Sequence, residues 1–177
     1  LDLDPDKFRI DLMSLSAHKI YGPKGIGALV IREGLPLEPS QYGGGQELGL
    51  RSGTLPVPLI VGFAKAVEIT KNDQDERNKR LLFFRNLLLS GLKKNISGLI
   101  VNGSIDQRLP HNLNITFPGV KGSQLHGQLR RFIFCTSGSA CSNGEASHVL
   151  QEIGLSKKDA EASIRMSIGR NTTEKDI

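Results

Sequence analysis

Residues 16–25 read Ser16-Ala17-His18-Lys19-Ile20-Tyr21-Gly22-Pro23-Lys24-Gly25, a lysine set between an apolar run and a turn. Upstream, Arg9 to Ser16 (RIDLMSLS) is apolar and short enough to be a buried strand. Downstream, Gly22-Pro-Lys-Gly25 is turn chemistry, and Ile26 to Ile31 reads as the next strand. A lysine just past a buried strand has no packing reason to be there. Desolvation in such a place lowers an amine's pKa, which Schiff-base chemistry needs. A solvent-facing loop lysine fits the position equally, and position alone leaves both readings open.

Groups suited to a phosphate surround Lys19. Ser16 and His18 can donate hydrogen bonds, and a glycine-rich turn adds backbone N–H groups. Arg51-Ser-Gly-Thr54 offers more donors just before an apolar helix, where anions bind well. A phosphorylated cofactor attached to a lysine describes pyridoxal 5'-phosphate.

Between these segments, Arg32 to Gly53 is polar and glycine-rich with Gly43-Gly44-Gly45 at its centre, a length of irregular chain that usually serves a function. Pro56 to Thr70 reads as a helix with Leu59, Ile60, Phe63, Ala64 and Val67 at helical spacing, and Asp73 to Lys94 as a second, amphipathic one. The pattern then changes. Leu99–Asn102, Asn112–Phe117, Phe132–Thr136 and Ile164–Ile168 read as short strands. Ser123–Arg131, Ser147–Gly154 and Lys157–Ser163 read as helices, the last opened by Ser156 and Asp159 in a capping pattern. Thr173 and Asp176 stand as N-cap and N3 of one more helix. The expected organisation is α/β, with a large-domain end at residues 1–72, a connecting long helix at 73–98 and a smaller α+β domain at 99–177. The sequence begins with Leu1 and stops at that helix start, which reads as part of a longer protein.

Composition narrows the function classes. With 38% hydrophobic and 23% charged residues the chain is of ordinary globular type. No apolar run approaches the ~20 residues that cross a bilayer, no secretion signal opens the chain, and a cytoplasmic location is expected. The net charge of +5 is dispersed, with doublets at Lys93-Lys94, Arg130-Arg131 and Lys157-Lys158. Without interleaved aromatics or a binding motif, nucleic acid is not an expected partner. A preference for anionic ligands or an acidic partner is the most that charge suggests.

Cys135 and Cys141 lie six positions apart, which matches no zinc signature, and no metal is expected. Cys141 follows the small residues Ser137-Gly-Ser-Ala140 and precedes the turn Ser142-Asn-Gly144, so it reads as an exposed loop thiol available as a nucleophile. Cys135 follows Phe132-Ile-Phe134 and reads as a buried small apolar residue. Arg165 interrupts an apolar strand; it either faces solvent or presents its guanidinium fork to a substrate carboxylate. His111, His126 and His148 have no metal partners at ligand spacing and read as ordinary surface or helix residues.

Taken in order, these segments resemble the cysteine desulfurases of the class V aminotransferase fold. Ser16 to Gly25 is similar to their cofactor-lysine segment, and Gly43-Gly-Gly-Gln-Glu47 with Arg51-Ser-Gly-Thr54 to the next family segment. Ser137-Gly-Ser-Ala-Cys141 is similar to their active-site cysteine loop, and Ser163-Ile-Arg165 with Gly169-Arg170 to their substrate-arginine strand. The resemblance implies the end of an aspartate aminotransferase-like large domain plus a smaller C-terminal domain, so this would be the C-terminal portion of such a protein. It implies that Lys19 carries pyridoxal 5'-phosphate and moves protons, and that Ser16 and His18 contact its phosphate. Thr54 would reach the phosphate of the neighbouring subunit in a homodimer. Arg165 would hold the carboxylate of L-cysteine, and Cys141 would take its sulfur as a persulfide, leaving alanine. An acceptor, such as an iron–sulfur scaffold protein or one serving thiolated cofactors, would receive that sulfur.

Two departures qualify this. The family's N-terminal half, with its ring-stacking histidine, its aspartate at the pyridine nitrogen and its glutamine, lies outside these residues, so the chain alone is expected to be inactive. The Ser142–Ser147 stretch is also slightly shorter than in housekeeping members, which bears on the loop's reach. A selenocysteine lyase, another class V enzyme, or a non-catalytic module that only dimerises or binds an acceptor are the alternatives.

Overall fold

Tight turns and short strands, rather than a large sheet, hold the lysine segment. In the computed structural model, which describes residues 4–133, 135 and 146–177, the chain forms two compact units, Leu1–Gln74 and Asp75–Ile177.

In the first unit, β1 (Leu12–Ser16) pairs antiparallel with β2 (Gly27–Ile31), from Leu12 opposite Ile31 to Ser16 opposite Gly27. The expected strands are present, but β1 is not buried. Its residues alternate between half-buried and exposed, and Leu12 and Leu29 remain 44% and 49% exposed. A two-stranded sheet has two faces, and a buried strand needs a layer on both. The 32–53 segment is folded on itself. Ser52, 4% exposed, donates from Oγ to the Gly44 carbonyl at 3.0 Å, and the Gly53 N–H donates to Gln46 Oε1 at 3.3 Å. Glu47 and Leu48 adopt left-handed backbone, with φ of 53° and 58°, an uncommon state for such residues.

Where two helices were expected, one runs for 39 residues: α1, Val57–Asn95. The polar run Lys71-Asn-Asp-Gln-Asp-Glu-Arg77 interrupts the apolar spacing but contains neither glycine nor proline. Each of its residues costs less than ~1 kcal/mol in a helix, so nothing there breaks the hydrogen-bond ladder.

The second unit holds a three-stranded antiparallel sheet of order β3–β4–β5: Ile100–Val101, Asn112–Thr116 and Ser163–Ser167. Its register sets Ile115 opposite Ile164, Leu113 opposite Met166, Asn114 opposite Arg165 and Thr116 opposite Ser163. Alternation therefore gives one apolar and one polar face. Leu113 and Ile115, both fully buried, pack with Leu89 of α1, with Leu88, Leu92, Val101 and Met166 around them. Among the described residues the unit also holds three short helices, α2 (Gly122–Leu129), α3 (His148–Glu152) and α4 (Lys157–Glu161), with α4 in contact with both α2 and α3. The cap read at Ser156 is made, its Oγ accepting from the Asp159 N–H, and Ser147 Oγ caps α3 by accepting from the Leu150 N–H. Thr173 and Asp176 close a capping box on the 3-10 turn Glu174–Asp176. Phe132, Ile133 and Cys135 are not in a strand, and Phe132 is 82% exposed. Phe134 and Thr136, the rest of the strand expected there, lie outside the described residues.

Candidate functional site

Lys19 lies in a single 3-10 turn, Ala17–Ile20, that directly succeeds β1. Two backbone bonds define the turn: Ala17 N–H donates to the Ile26 carbonyl at 3.1 Å, and Gly22 N–H to the Ala17 carbonyl at 2.9 Å. Tyr21 ends it in the left-handed region at φ 64°. The turn rests on two small residues of α1, Gly62 and Ala66, which lie one helical turn apart. A Cβ on Gly62 would come 3.1 Å from Pro23 Cγ, and one on Gly22 would come 2.9 Å from the Ala17 carbonyl oxygen and 3.1 Å from Ala66 Cβ. Ala17 is fully buried by this packing. The neighbours that carry chemistry, Ser16, His18 and Lys19, are all exposed. The desolvation expected of Lys19 is thus not supplied by the described residues. Its position is held by the backbone around it.

Thr54 is exposed and sits between Gly53, at φ 119°, and the start of α1 at Val57. The bonds of Ser52 and Gln46 to Gly44 and Gly53 clip together the two arms of the loop that leads to it. The sequence does not single out Ser52 or Gln46 for this. Their signal, small and amide residues flanking a glycine run, does not distinguish a clip from solvent-facing loop residues.

In the second unit Arg165 is half-buried on the polar face of β5, opposite Asn114. It makes no hydrogen bond or ion pair with another described residue, so its fork is available to a carboxylate. Beside it is a buried polar network that the sequence does not announce. Asn102 Nδ2 donates to Asn114 Oδ1 at 2.7 Å and to Ser163 Oγ at 3.1 Å, and Thr116 Oγ1 donates to Asn102 Oδ1 at 2.9 Å. Ser163 Oγ reaches the Asp159 carbonyl at 2.7 Å. Just after β5, Arg80 of α1 donates to the carbonyls of Thr172 and Arg170, at 2.9 and 2.5 Å, with its guanidinium 5.5 Å from the Phe84 ring. The turn after the arginine strand is fixed in this way.

Cys141 lies outside the described residues. Cys135 is half-buried, and burial pushes its thiol above the ordinary value, the opposite of what a thiolate nucleophile needs. A cavity of about 910 Å³ opens next to Ala146, lined in part by Lys121, Ser123, His126, Lys157, Lys158 and Glu161. Among the described residues no cluster of histidine, cysteine or carboxylate groups could hold a metal ion, and no helix is long and apolar enough to cross a membrane.

Comparisons with known proteins agree along the whole chain. The cysteine desulfurase IscS of Vibrio vulnificus is 48% identical over 179 residues, covering 99% of this chain and 44% of that protein. The cysteine desulfurase IscS of Tolumonas auensis is 47% identical over 181 residues, again 44% of its length. Among solved structures, a NifS-like protein superposes with a TM-score of 0.84 at 38% identity, covering 97% of this chain and 44% of that one. A NifS-like protein from Rickettsia africae superposes at 0.85 and 28% identity, covering 98% and 46%. This chain therefore spans less than half the length of these relatives. The family model described as aminotransferase class-V matches residues 1–177. The chain belongs to the class-V aminotransferase family.

Proposed function

We propose that this chain is the part of a pyridoxal 5'-phosphate-dependent cysteine desulfurase that carries the cofactor lysine, the sulfur-accepting cysteine and the substrate arginine. The observation that carries the reading is the Lys19 turn, whose backbone is fixed by glycine packing on α1 while Ser16, His18 and Lys19 remain exposed. A primary amine with a hydroxyl and an imidazole beside it, all reachable and on one strand end, is a donor set that fits a phosphorylated aldehyde. Ser16 and His18 would bind the phosphate, and Thr54 that of the neighbouring subunit's cofactor in a homodimer. When bound, the cofactor supplies an electron-poor ring that stabilises negative charge developing on the amino acid.

The chain's own residues supply the rest. Lys19 Nζ holds the cofactor and then carries protons to and from the amino acid. Arg165 binds the carboxylate of L-cysteine with its guanidinium fork, which no described residue pairs. Cys141, as thiolate, attacks the sulfur of L-cysteine. The S–S bond forms as the Cβ–S bond breaks, and the carbon takes up a proton to leave L-alanine and a persulfide on Cys141. The elevated pKa of Cys135 supports giving this task to Cys141. The sulfur then passes to an acceptor for iron–sulfur clusters or thiolated cofactors in the cytoplasm, and the lysines around the cavity by Ala146 suit an acidic acceptor surface.

Absorption spectra with added pyridoxal 5'-phosphate test the cofactor assignment, on this chain and on the full-length protein. A visible band in wild type that Lys19→Ala removes is the expected result. A full-length protein that stays colourless, or a band that persists in Lys19→Ala, overturns it. In the full-length protein Cys141→Ser should keep the band and form no persulfide, and unchanged sulfur release would remove Cys141 from the mechanism.

A further inference from the structure

The polar network beside Arg165 has a direction, and one backbone carbonyl sets it. The Asp159 carbonyl can only accept, so Ser163 Oγ gives its proton there, at 2.7 Å. Ser163 Oγ must then accept at its other contacts, which makes the Asn102 amide atom 3.1 Å away Nδ2. The same Nδ2 gives its second hydrogen to Asn114, 2.7 Å away, and Asn114 must meet it with Oδ1. Thr116 Oγ1 donates to the remaining Asn102 oxygen at 2.9 Å. Asn102, Thr116 and Ser163 are all buried, so reversing any one of these bonds would strand a polar atom away from water. The free end of Asn114 is therefore its amino group, and Nδ2 has no partner among the described residues.

Arg165 stands directly opposite Asn114 in the β4–β5 register, on the same face of the sheet. The Cβ atoms of such a pair are about 5 Å apart. Both residues are half-buried, and their free groups are donors only, so neither can satisfy the other. Two donors side by side, one of them cationic, match the two oxygens of a carboxylate. We propose that Asn114 is a second binding residue for the substrate carboxylate, donating from Nδ2 beside the Arg165 fork. The inference rests on the cysteine desulfurase reading, in which Arg165 holds that carboxylate. Asn102, Thr116 and Ser163 are positioning residues, because they keep Asn114 from turning its oxygen towards the anion.

The test is equilibrium binding of L-alanine and of ethylamine, the same amine without a carboxylate, to the full-length protein with its cofactor, followed by the cofactor's absorption band. Asn114→Asp keeps an oxygen for Asn102 and turns a second oxygen, in place of the amino group, towards the ligand. Asn114→Ala removes the donor without adding charge. Each should weaken L-alanine by about tenfold or more, the worth of one charge-assisted hydrogen bond, and leave ethylamine unchanged. Circular dichroism establishes that each variant is folded, and either folded variant decides. L-alanine binding equal to wild type, or an equal loss of L-alanine and ethylamine, overturns the role of Asn114. Arg165→Gln separates that failure from failure of the reading beneath it. If Arg165→Gln loses L-alanine while the Asn114 variants keep it, Asn114 alone falls; if Arg165→Gln also keeps it, the carboxylate site itself is overturned.

Discussion

Replacing Gly22 by alanine tests the packing that holds the lysine turn. The added Cβ would stand 2.9 Å from the Ala17 carbonyl oxygen, 3.0 Å from Ala17 Cβ and 3.1 Å from Ala66 Cβ, where ordinary contact begins at 3.4 Å. None of these neighbours has a rotamer to move, so the shortfall of 0.3–0.5 Å must come from the backbone of the turn or from its seat on α1. Overpacking of this size costs about 1–3 kcal/mol, a factor of about 5 to 150 in the unfolding constant. Urea denaturation tracked by tyrosine fluorescence isolates the unit concerned. The chain has no tryptophan, and its two tyrosines, Tyr21 and Tyr42, both lie in Leu1–Gln74. The Gly22→Ala transition should move to lower urea with unchanged slope. A midpoint equal to that of wild type would mean that the turn is not seated on Ala66, and that Lys19 is positioned by something else.

In the second unit, Thr116→Val removes a fully buried hydroxyl that donates to Asn102 Oδ1 and pairs with Ser163 Oγ, and should cost about 1–3 kcal/mol by calorimetry; a change under about 0.5 kcal/mol would show the network to be dispensable. Gly91→Ala should stabilise the chain by about 0.5–1 kcal/mol, since a Cβ there in α1 meets nothing within 4 Å. Burial holds the pKa of His111 below its ordinary 6.5, so the unfolded chain takes up the proton more readily. Stability should accordingly be full above pH 6.5 and fall as pH drops towards the folded value. His111→Gln should flatten the dependence of urea midpoints on pH between about 7 and 5.5, and an equal slope in the variant would assign the fall to other groups. Arg165→Gln should leave the unfolding midpoint within about 0.5 kcal/mol of wild type, because the side chain has no bond among the described residues to lose. The same change in the full-length protein should abolish saturation by L-cysteine.

Local chemistry is legible in the sequence where one or two residues decide it. Ser156 and Thr173 read as helix starts from their spacing to Asp159 and Asp176, and each has the cap its hydroxyl allows. β4 and β5 are readable because alternation marks a sheet with two unlike faces. Burial is not readable for β1, since an apolar run records what a strand can bury and not which layers are there to cover it. The Phe132–Thr136 run extends outside the described residues, and within them Phe132 and Ile133 are not in a strand. At the candidate site, the residues that carry reactive groups stand out by type, whereas Gly62, Ala66 and Ser52, which hold the loops around them, have no chemistry to announce.

The continuity of α1 is hidden in the sequence for a reason that also bears on the lysine. Hydrophobic spacing lapses from Lys71 to Arg77 because two different burdens meet there. Before the lapse, the helix presents small residues, Gly62 and Ala66, that let the Lys19 turn approach its backbone. After it, the buried residues are bulky: Leu81 and Phe84 pack with Ile168 and Ile177, and Leu89 with Leu113 and Ile115 of β4. One helix thus carries two packing codes joined by a stretch that needs neither. Ala66→Leu should then disturb the first unit, with Tyr21 and Tyr42 reporting it, and leave the buried cluster around Leu113 and Ile115 intact. Leu89→Ala should do the reverse, at a cost of about 2–5 kcal/mol. If either substitution shifted the tyrosine and calorimetric transitions together, the two codes would be one.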